Sequence, residues 1–94
     1  MREEKPGFQS RNRASAIVTV HLFSRARELA QANTVDVPPV ATVAALRAEL
    51  ASRFPTLREL LAVSRIAVNH DFADDSMLLN DSDEVAVIPP VSGG

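Results

Sequence analysis

The apolar positions along this chain alternate between the two-residue repeat of a β-strand and the wider spacing of an α-helix. Alternating runs at 17–23 and 34–37 predict two strands that form a hairpin. Ser24 is a suitable cap for a short helix between them, which would extend to Ala30. The N-terminal half of the pattern therefore begins with a strand pair joined through a short helix.

A longer helix is predicted over Val43–Phe54, where apolar residues recur at helical spacing. Thr42 is a suitable N-cap for it, and Pro55 limits its extension. Thr56 and Glu59 stand three residues apart, as in a capping box, and predict a second short helix after the first. The longer helix is expected to cover the core.

The C-terminal half returns to strand patterns. Runs at 66–68 and 84–88 predict two further strands, with a turn at 69–71 and a short apolar segment at 77–79 between them. A hairpin, a crossover helix and then more strands indicate an α+β fold, in which a mixed sheet packs on one main helix.

The ending is the most informative local feature. Only three glycines occur, and two of them, Gly93 and Gly94, are the last residues. At average glycine usage, two terminal glycines arise by chance roughly once in 200 chains. A glycine pair can enter a channel too narrow for side chains, and the preceding Pro89 and Pro90 cannot continue a strand ladder. The pattern predicts a protruding tail with a deliverable carboxylate.

Length and composition limit the alternatives. The 94 residues, 46% of them hydrophobic, fit one small domain. Cysteine is absent, which excludes a disulfide framework and a thiol nucleophile, and His21 and His70 lack metal-ligand spacing. No apolar run approaches the roughly 20 residues of a membrane span. We expect a cytoplasmic protein with a flexible polar leader at 1–15, a folded domain at 16–90 and a tail at 91–94.

Charge is unevenly distributed. The leader carries four basic and two acidic residues, whereas the rest of the chain carries six arginines and ten acids. Six of those acids lie between Asp71 and Glu84. An acidic surface near the tail suits a basic protein partner and disfavours nucleic acid phosphates.

Several segments together resemble the MoaD family, the small sulfur-carrying subunits of molybdopterin synthase. Residues 22–29 are similar to the family's phenylalanine and Arg-Glu segment after the first strand, 42–46 to its helix start, 67–69 to its third strand, and 83–94 to its ending. The likeness covers about 17–94, and it implies a ubiquitin-like β-grasp fold.

The resemblance also implies a function. The chain would be a non-catalytic carrier whose Gly94 carboxylate is adenylated by a MoeB-like activating enzyme that uses ATP and magnesium. A sulfur donor would convert the adenylate to a thiocarboxylate. The tail would then donate sulfur to cyclic pyranopterin monophosphate within a MoaE-like large subunit, in a heterotetramer. No cofactor or metal is expected on this chain alone.

Partner-binding residues are expected on the outward side of the sheet and in the tail. Parity places Phe23 opposite the buried residues of the first strand, and Ile88 opposite those of the last. The resemblance implies a hydrophobic contact at these two positions and at Phe72. The remaining candidates are Arg27 and the tail residues Pro89, Pro90, Val91 and Ser92, followed by Gly93 and Gly94 at the reacting end. The alternative is that Phe23 or Ile88 packs beneath the short helix or second hairpin.

Two other functions stay open on the sequence. One is a ThiS-like carrier that serves thiamine synthesis or another thiolation pathway. The other is a ubiquitin-like binding module or protein modifier that carries no sulfur. Lys5 is the only lysine, so the folded domain has no amine for self-conjugation, but modification of other proteins remains compatible with the sequence.

Overall fold

The computed structural model describes residues 17–91, which form a five-stranded sheet and three α-helices. The strands are β1 (Val18–Leu22), β2 (Thr34–Val37), β3 (Arg65–Val68), β4 (Asp71–Ala73) and β5 (Val85–Ile88). The helices are α1 (Ser24–Ala30), α2 (Val43–Arg53) and α3 (Arg58–Val63), with a 3-10 turn at Pro55–Leu57. The predictions for residues 1–16 and 92–94, including the leader and the glycine pair, concern residues outside those described.

The sheet is mixed, as predicted, with the strand order β2-β1-β5-β3-β4. β1 and β5 pair in parallel at its centre, with Val20 opposite Val85 and Leu22 opposite Val87. The other three pairs of neighbouring strands are antiparallel. Because β5 lies between β1 and β3, both sides of the last strand are hydrogen-bonded.

The core lies between one face of this sheet and α2. Val43, Leu46 and Leu50 recur at helical spacing and are fully buried. They belong to the same cluster as the inward residues of the central strands, which are Val18, Val20, Leu22, Val85 and Val87. The helices thus cover one face, and the other face of the sheet is left open.

The start of α2 is held by a side chain and by the loop between β4 and β5. The Ala45 N–H donates to Thr42 Oγ1 at 3.1 Å, which confirms the predicted N-cap. The N–H groups of Val43 and Ala44, which have no acceptor within the helix, donate to the carbonyl oxygens of Met77 and Asp75 at 3.0 and 2.9 Å. This loop therefore satisfies helix donors that would otherwise lack partners.

Two capping predictions are wrong. Ser24 is the first residue of α1 and has a φ of 52°, while Phe23 takes the N-cap position without a side-chain bond. Thr56 lies inside the 3-10 turn that Pro55 begins, so Leu57 precedes α3 and no capping box forms with Glu59. In both cases the chain enters its helix one or more residues away from the expected cap.

Thr42→Ala is expected to lower the free energy of unfolding by about 1 kcal/mol, because it removes the one side-chain acceptor at the start of α2. Thr56→Ala is the matched control, since Thr56 is exposed and caps no helix, and its effect should stay within about 0.5 kcal/mol. Urea unfolding measures both. An equal loss for the two variants would contradict this assignment of caps.

Candidate functional site: the open face of the sheet

The open face carries a shallow groove across its central strands. The strand registers place His21 opposite Ala86, Ala86 opposite Ala67, and Ala67 opposite Phe72. Because the two central residues of this row are alanines, the surface is low between larger side chains. The resulting depression has a volume of about 300 Å³, and we call it the sheet groove.

Apolar side chains form most of the sheet groove. They are Phe23, Ala67, Phe72, Ala86 and Ile88. Phe23 and Phe72 are 46% and 54% exposed, and Ile88 is half-buried. Two outward phenylalanines in one depression leave an unusual amount of apolar area in water, as at protein interfaces. The predicted outward positions are confirmed, and neither Phe23 nor Ile88 packs beneath a helix.

A cation covers part of the groove's outer wall. The Arg65 guanidinium carbon lies 3.8 Å from the centroid of the Phe72 ring, within the range of a cation–π contact. Arg65 stands opposite Ile88 in the β3–β5 register, so it lies at the end of the groove where β5 finishes. No local sequence pattern marks Arg65 as a site residue, although its parity with Ala67 places it on the open face.

The other end of the groove is polar. Glu84, one residue before β5, extends its carboxylate toward two imidazoles. The His70 Nε2 lies 3.1 Å from Glu84 Oε1, and the His21 Nε2 lies 3.7 Å from Glu84 Oε2. His21 lies in β1, and His70 lies in the turn between β3 and β4. Their shared carboxylate was missed, because no sequence spacing links β1, a turn and β5.

The backbone of Glu84 is fixed by Asn69. The Asn69 N–H donates to the Glu84 carbonyl at 2.7 Å, and the Glu84 N–H donates to Asn69 Oδ1 at 2.9 Å. Asn69 and His70 have φ values of 54° and 74°, as in the tight hairpin turn whose twist matches that of the strands. The turn therefore places His70 beside Glu84 while its other residue holds the Glu84 main chain.

Asp83 completes this support. Its carboxylate accepts hydrogen bonds from the Asn80 N–H at 2.8 Å and the Asn69 side-chain amide at 3.0 Å. The backbone bond from Asn80, followed by the bond from Asn69, lowers the pKa of Asp83 below its usual range. The stabilisation from these bonds is present above the ordinary aspartate pKa and is lost as the pH falls through the lowered value.

The remaining predicted site residues lie elsewhere. Arg27 is exposed on α1 and does not line the sheet groove, so its role stays a prediction. Pro89 is buried, Pro90 is exposed and Val91 is 94% exposed, which means that the chain leaves the sheet directly after Ile88. Ser92, Gly93 and Gly94 lie outside the described residues, and their roles also stay predictions.

Within residues 17–91, no group of three histidine, cysteine, aspartate or glutamate side chains is placed to hold a metal ion. Over the same residues, no helix has the length and apolar character needed to cross a membrane. The described surface offers apolar contact across the groove, with a carboxylate at one end.

Comparison with known proteins identifies the family. The model of the ThiS family matches residues 20–94, which is most of the chain. The chain belongs to the ThiS family. A curated relative, the molybdopterin synthase sulfur carrier subunit of Arabidopsis thaliana, is 35% identical over 96 residues that cover all of both chains. The sequence resemblance to MoaD proteins, which belong to the same family, is thereby confirmed.

Solved structures confirm the fold of this ThiS family member. SAMP1 from Haloferax volcanii superposes with a TM-score of 0.73 at 27% identity, over 83% of this chain and 99% of that one. A chain of the complex of subunits 1 and 2 of molybdopterin-converting factor from Helicobacter pylori matches at a TM-score of 0.62 and 28% identity, over 83% and 99%. The mixed sheet packed on one main helix is the ubiquitin-like β-grasp fold.

Proposed function

We propose that this chain is the sulfur carrier subunit of a molybdopterin synthase, and that it acts in molybdenum cofactor biosynthesis. It delivers the sulfur as a thiocarboxylate on Gly94. The family assignment and the full-length relatives with that name support the proposal. The chain is a non-catalytic subunit, because its groove offers a docking surface and its reacting atom belongs to the chain terminus.

One observation carries the proposal: the sheet groove ends where the tail begins. Ile88 lines the groove and is followed at once by Pro89, where the chain leaves the sheet. The six residues from Pro89 to Gly94 reach at most about 20 Å when fully extended. A partner that covers the groove therefore lies within range of the terminal carboxylate. Binding of the partner would also place the chain terminus near the partner's active site.

The chemistry requires that the terminal carboxylate be activated, because a carboxylate is a poor electrophile. In the proposed sequence, a carboxylate oxygen of Gly94 attacks the α-phosphorus of ATP and releases pyrophosphate. Hydrosulfide released by a donor then attacks the acyl carbon, displaces AMP, loses its proton and leaves the thiocarboxylate. The thiocarboxylate sulfur is a strong nucleophile near neutral pH, and two successive carriers supply the two sulfurs of the dithiolene.

The partners follow from this sequence of reactions. A large synthase subunit of the MoaE type would cover the sheet groove, and the pair of subunits in the Helicobacter pylori complex supports such a partner. A MoeB-like enzyme would hold the ATP and magnesium, and a separate protein would donate sulfur. We propose a heterotetramer in the cytoplasm, in which this chain holds no cofactor of its own.

A second candidate function is protein modification. It is favoured by the likeness to structures named as small archaeal modifier protein 1, one of which is 27% identical with a TM-score of 0.72. The same activated terminus would then form an amide bond with an amine of another protein. A ThiS-like carrier for thiamine synthesis or another thiolation pathway would differ from the proposed carrier only in the molecule that accepts the sulfur.

The experiment is a mass measurement on the intact chain after incubation with the activating enzyme of its source organism, ATP, magnesium and a sulfur donor. Replacement of one terminal oxygen by sulfur should add about 16 Da. The product is then mixed with the large synthase subunit and cyclic pyranopterin monophosphate, and dithiolene formation is measured. Absence of a thiocarboxylate contradicts the carrier function, whereas stable binding to a thiazole synthase in place of the large subunit supports the thiamine pathway.

A further inference from the structure

The sheet groove has a carboxylate at one end and apolar side chains with the Arg65 cation beside them at the other, and this asymmetry identifies the partner that it fits. Along the open face of β5 and the residue before it, the outward positions are Glu84, Ala86 and Ile88. The first and last of these stand four residues apart, which is about 13 Å in a strand. A segment that fills the groove therefore meets apolar side chains at the tail end and a carboxylate at the other.

The carboxylate is anchored for recognition. The main chain of Glu84 makes two hydrogen bonds with Asn69, at 2.7 and 2.9 Å, so the Glu84 side chain extends from a fixed position. Its two oxygens each face one imidazole, of His70 and of His21. All three side chains retain substantial solvent exposure, so a further group can approach the carboxylate from above the groove.

Because the two side chains beside Glu84 are histidines, the charge at this end of the groove depends on whether they are protonated. Histidine is the side chain that ordinarily changes charge between pH 5 and 8, whereas lysine or arginine would neutralise the carboxylate throughout. With both imidazoles neutral, the three side chains carry a formal charge of −1, and with both protonated they carry +1. Protonation of both imidazoles would therefore change the formal charge of these three side chains from negative to positive.

Three of the other charged groups nearby contact other residues, and a fourth, Asp71, adds to the charge. Asp83 is bound by Asn80 and Asn69, and Asp36 of β2 accepts a hydrogen bond from Thr19 at 3.0 Å. Arg65, on the open face of β3, lies over the Phe72 ring at the far end of the groove. Asp71 begins β4 directly after His70 and adds negative charge on that side. Protonation of the histidines in the His21–Glu84–His70 cluster therefore makes this end of the groove less negative.

We infer that the sheet groove binds a partner segment that is apolar along most of its length and ends in an arginine or lysine side chain, which pairs with Glu84 when His21 and His70 are neutral. Protonation of the two histidines removes this preference and repels the cation. The inference rests on the proposed function, since it concerns the surface that the large subunit would cover. It adds a determinant of partner choice and a dependence of docking on pH.

The test measures binding of the full chain to the large synthase subunit of the same organism by titration calorimetry at pH 8 and at pH 5.5. Glu84→Gln is expected to weaken binding about five- to tenfold at pH 8, with a smaller loss in high salt. Glu59→Gln is the matched control, because it removes the same charge from an exposed position on α3, outside the groove. The control should bind as the wild-type chain does.

The dependence of binding on pH is tested with the double variant His21→Gln, His70→Gln. Acidification should weaken binding of the wild-type chain more than that of the double variant, and the two should bind alike at pH 8. Glu84→Lys should bind more weakly than Glu84→Gln at pH 8. Equal binding by the Glu84→Gln, Glu59→Gln and wild-type chains overturns the inference and leaves the proposed function standing. Failure of the wild-type chain to bind the large subunit overturns both.

Discussion

Deletion of Gly94 is expected to abolish thiocarboxylate formation while leaving the complex with the large subunit intact. The two activities are expected to separate because the sheet groove lies on the folded domain, whereas the carboxyl carbon that we propose to react belongs to the last residue. Removal of one glycine shortens the reach of the tail by about 3.5 Å, and a misplacement of about 1 Å can already cost a hundredfold in rate. The gain of about 16 Da should therefore disappear.

The matched control is Ser92→Ala, which changes a side chain in the same segment but preserves the length and the glycine pair. That variant should acquire sulfur and transfer it. Intact-mass spectrometry and gel filtration with the large subunit measure the two properties on the same samples. A truncated chain that still gains sulfur would show that Gly94 is not the reacting residue.

The second large effect is expected from Phe23→Asp, which should weaken docking by at least roughly 30-fold, as for a central residue of an interface. Phe23 is half exposed within the sheet groove, so an aspartate there remains solvated in the free chain. In the complex the same carboxylate would be buried against apolar groups without a partner. Thermal unfolding of the free variant should resemble that of the wild-type chain.

Ile17→Asp is the matched control for this substitution. Ile17 is 52% exposed, close to the 46% of Phe23, and lies just before β1 with the same parity, but it does not line the groove. Its replacement should leave affinity for the large subunit unchanged. Equal losses of affinity for the two variants would contradict the groove as the docking surface, and unfolding of Phe23→Asp alone would make that residue part of the core.

The parts of the fold that depend on local periodicity could be predicted from the sequence. The spacing of Val43, Leu46 and Leu50 predicted the helix over the core, and Thr42 predicted where that helix begins. The parity of β1 predicted that Phe23 points outward, because alternation in a strand assigns each residue to a face. These inferences needed only residues that are close in sequence.

Features that depend on distant residues could not be predicted in this way. The alanine row beneath the groove exists because Ala67 and Ala86 are opposite each other in the β3–β5 register, which no local pattern specifies. The same holds for the contact of Glu84 with two histidines from other elements. The misplaced cap at Thr56 has a different origin: the 3-10 turn that begins at Pro55 competes with the capping box.

The central position of β5 affects how firmly the start of the C-terminal tail is held. Local opening of a protein begins at edges and termini, and the amide hydrogens of a strand paired on both sides exchange slowly with solvent. The edge strands β2 and β4 are each paired on one side, so we expect them to open before β5, which is paired with β1 and β3. We therefore expect the strand that precedes Pro89 to exchange its amide hydrogens slowly, and opening of the edge strands to leave the position of Pro89 unchanged.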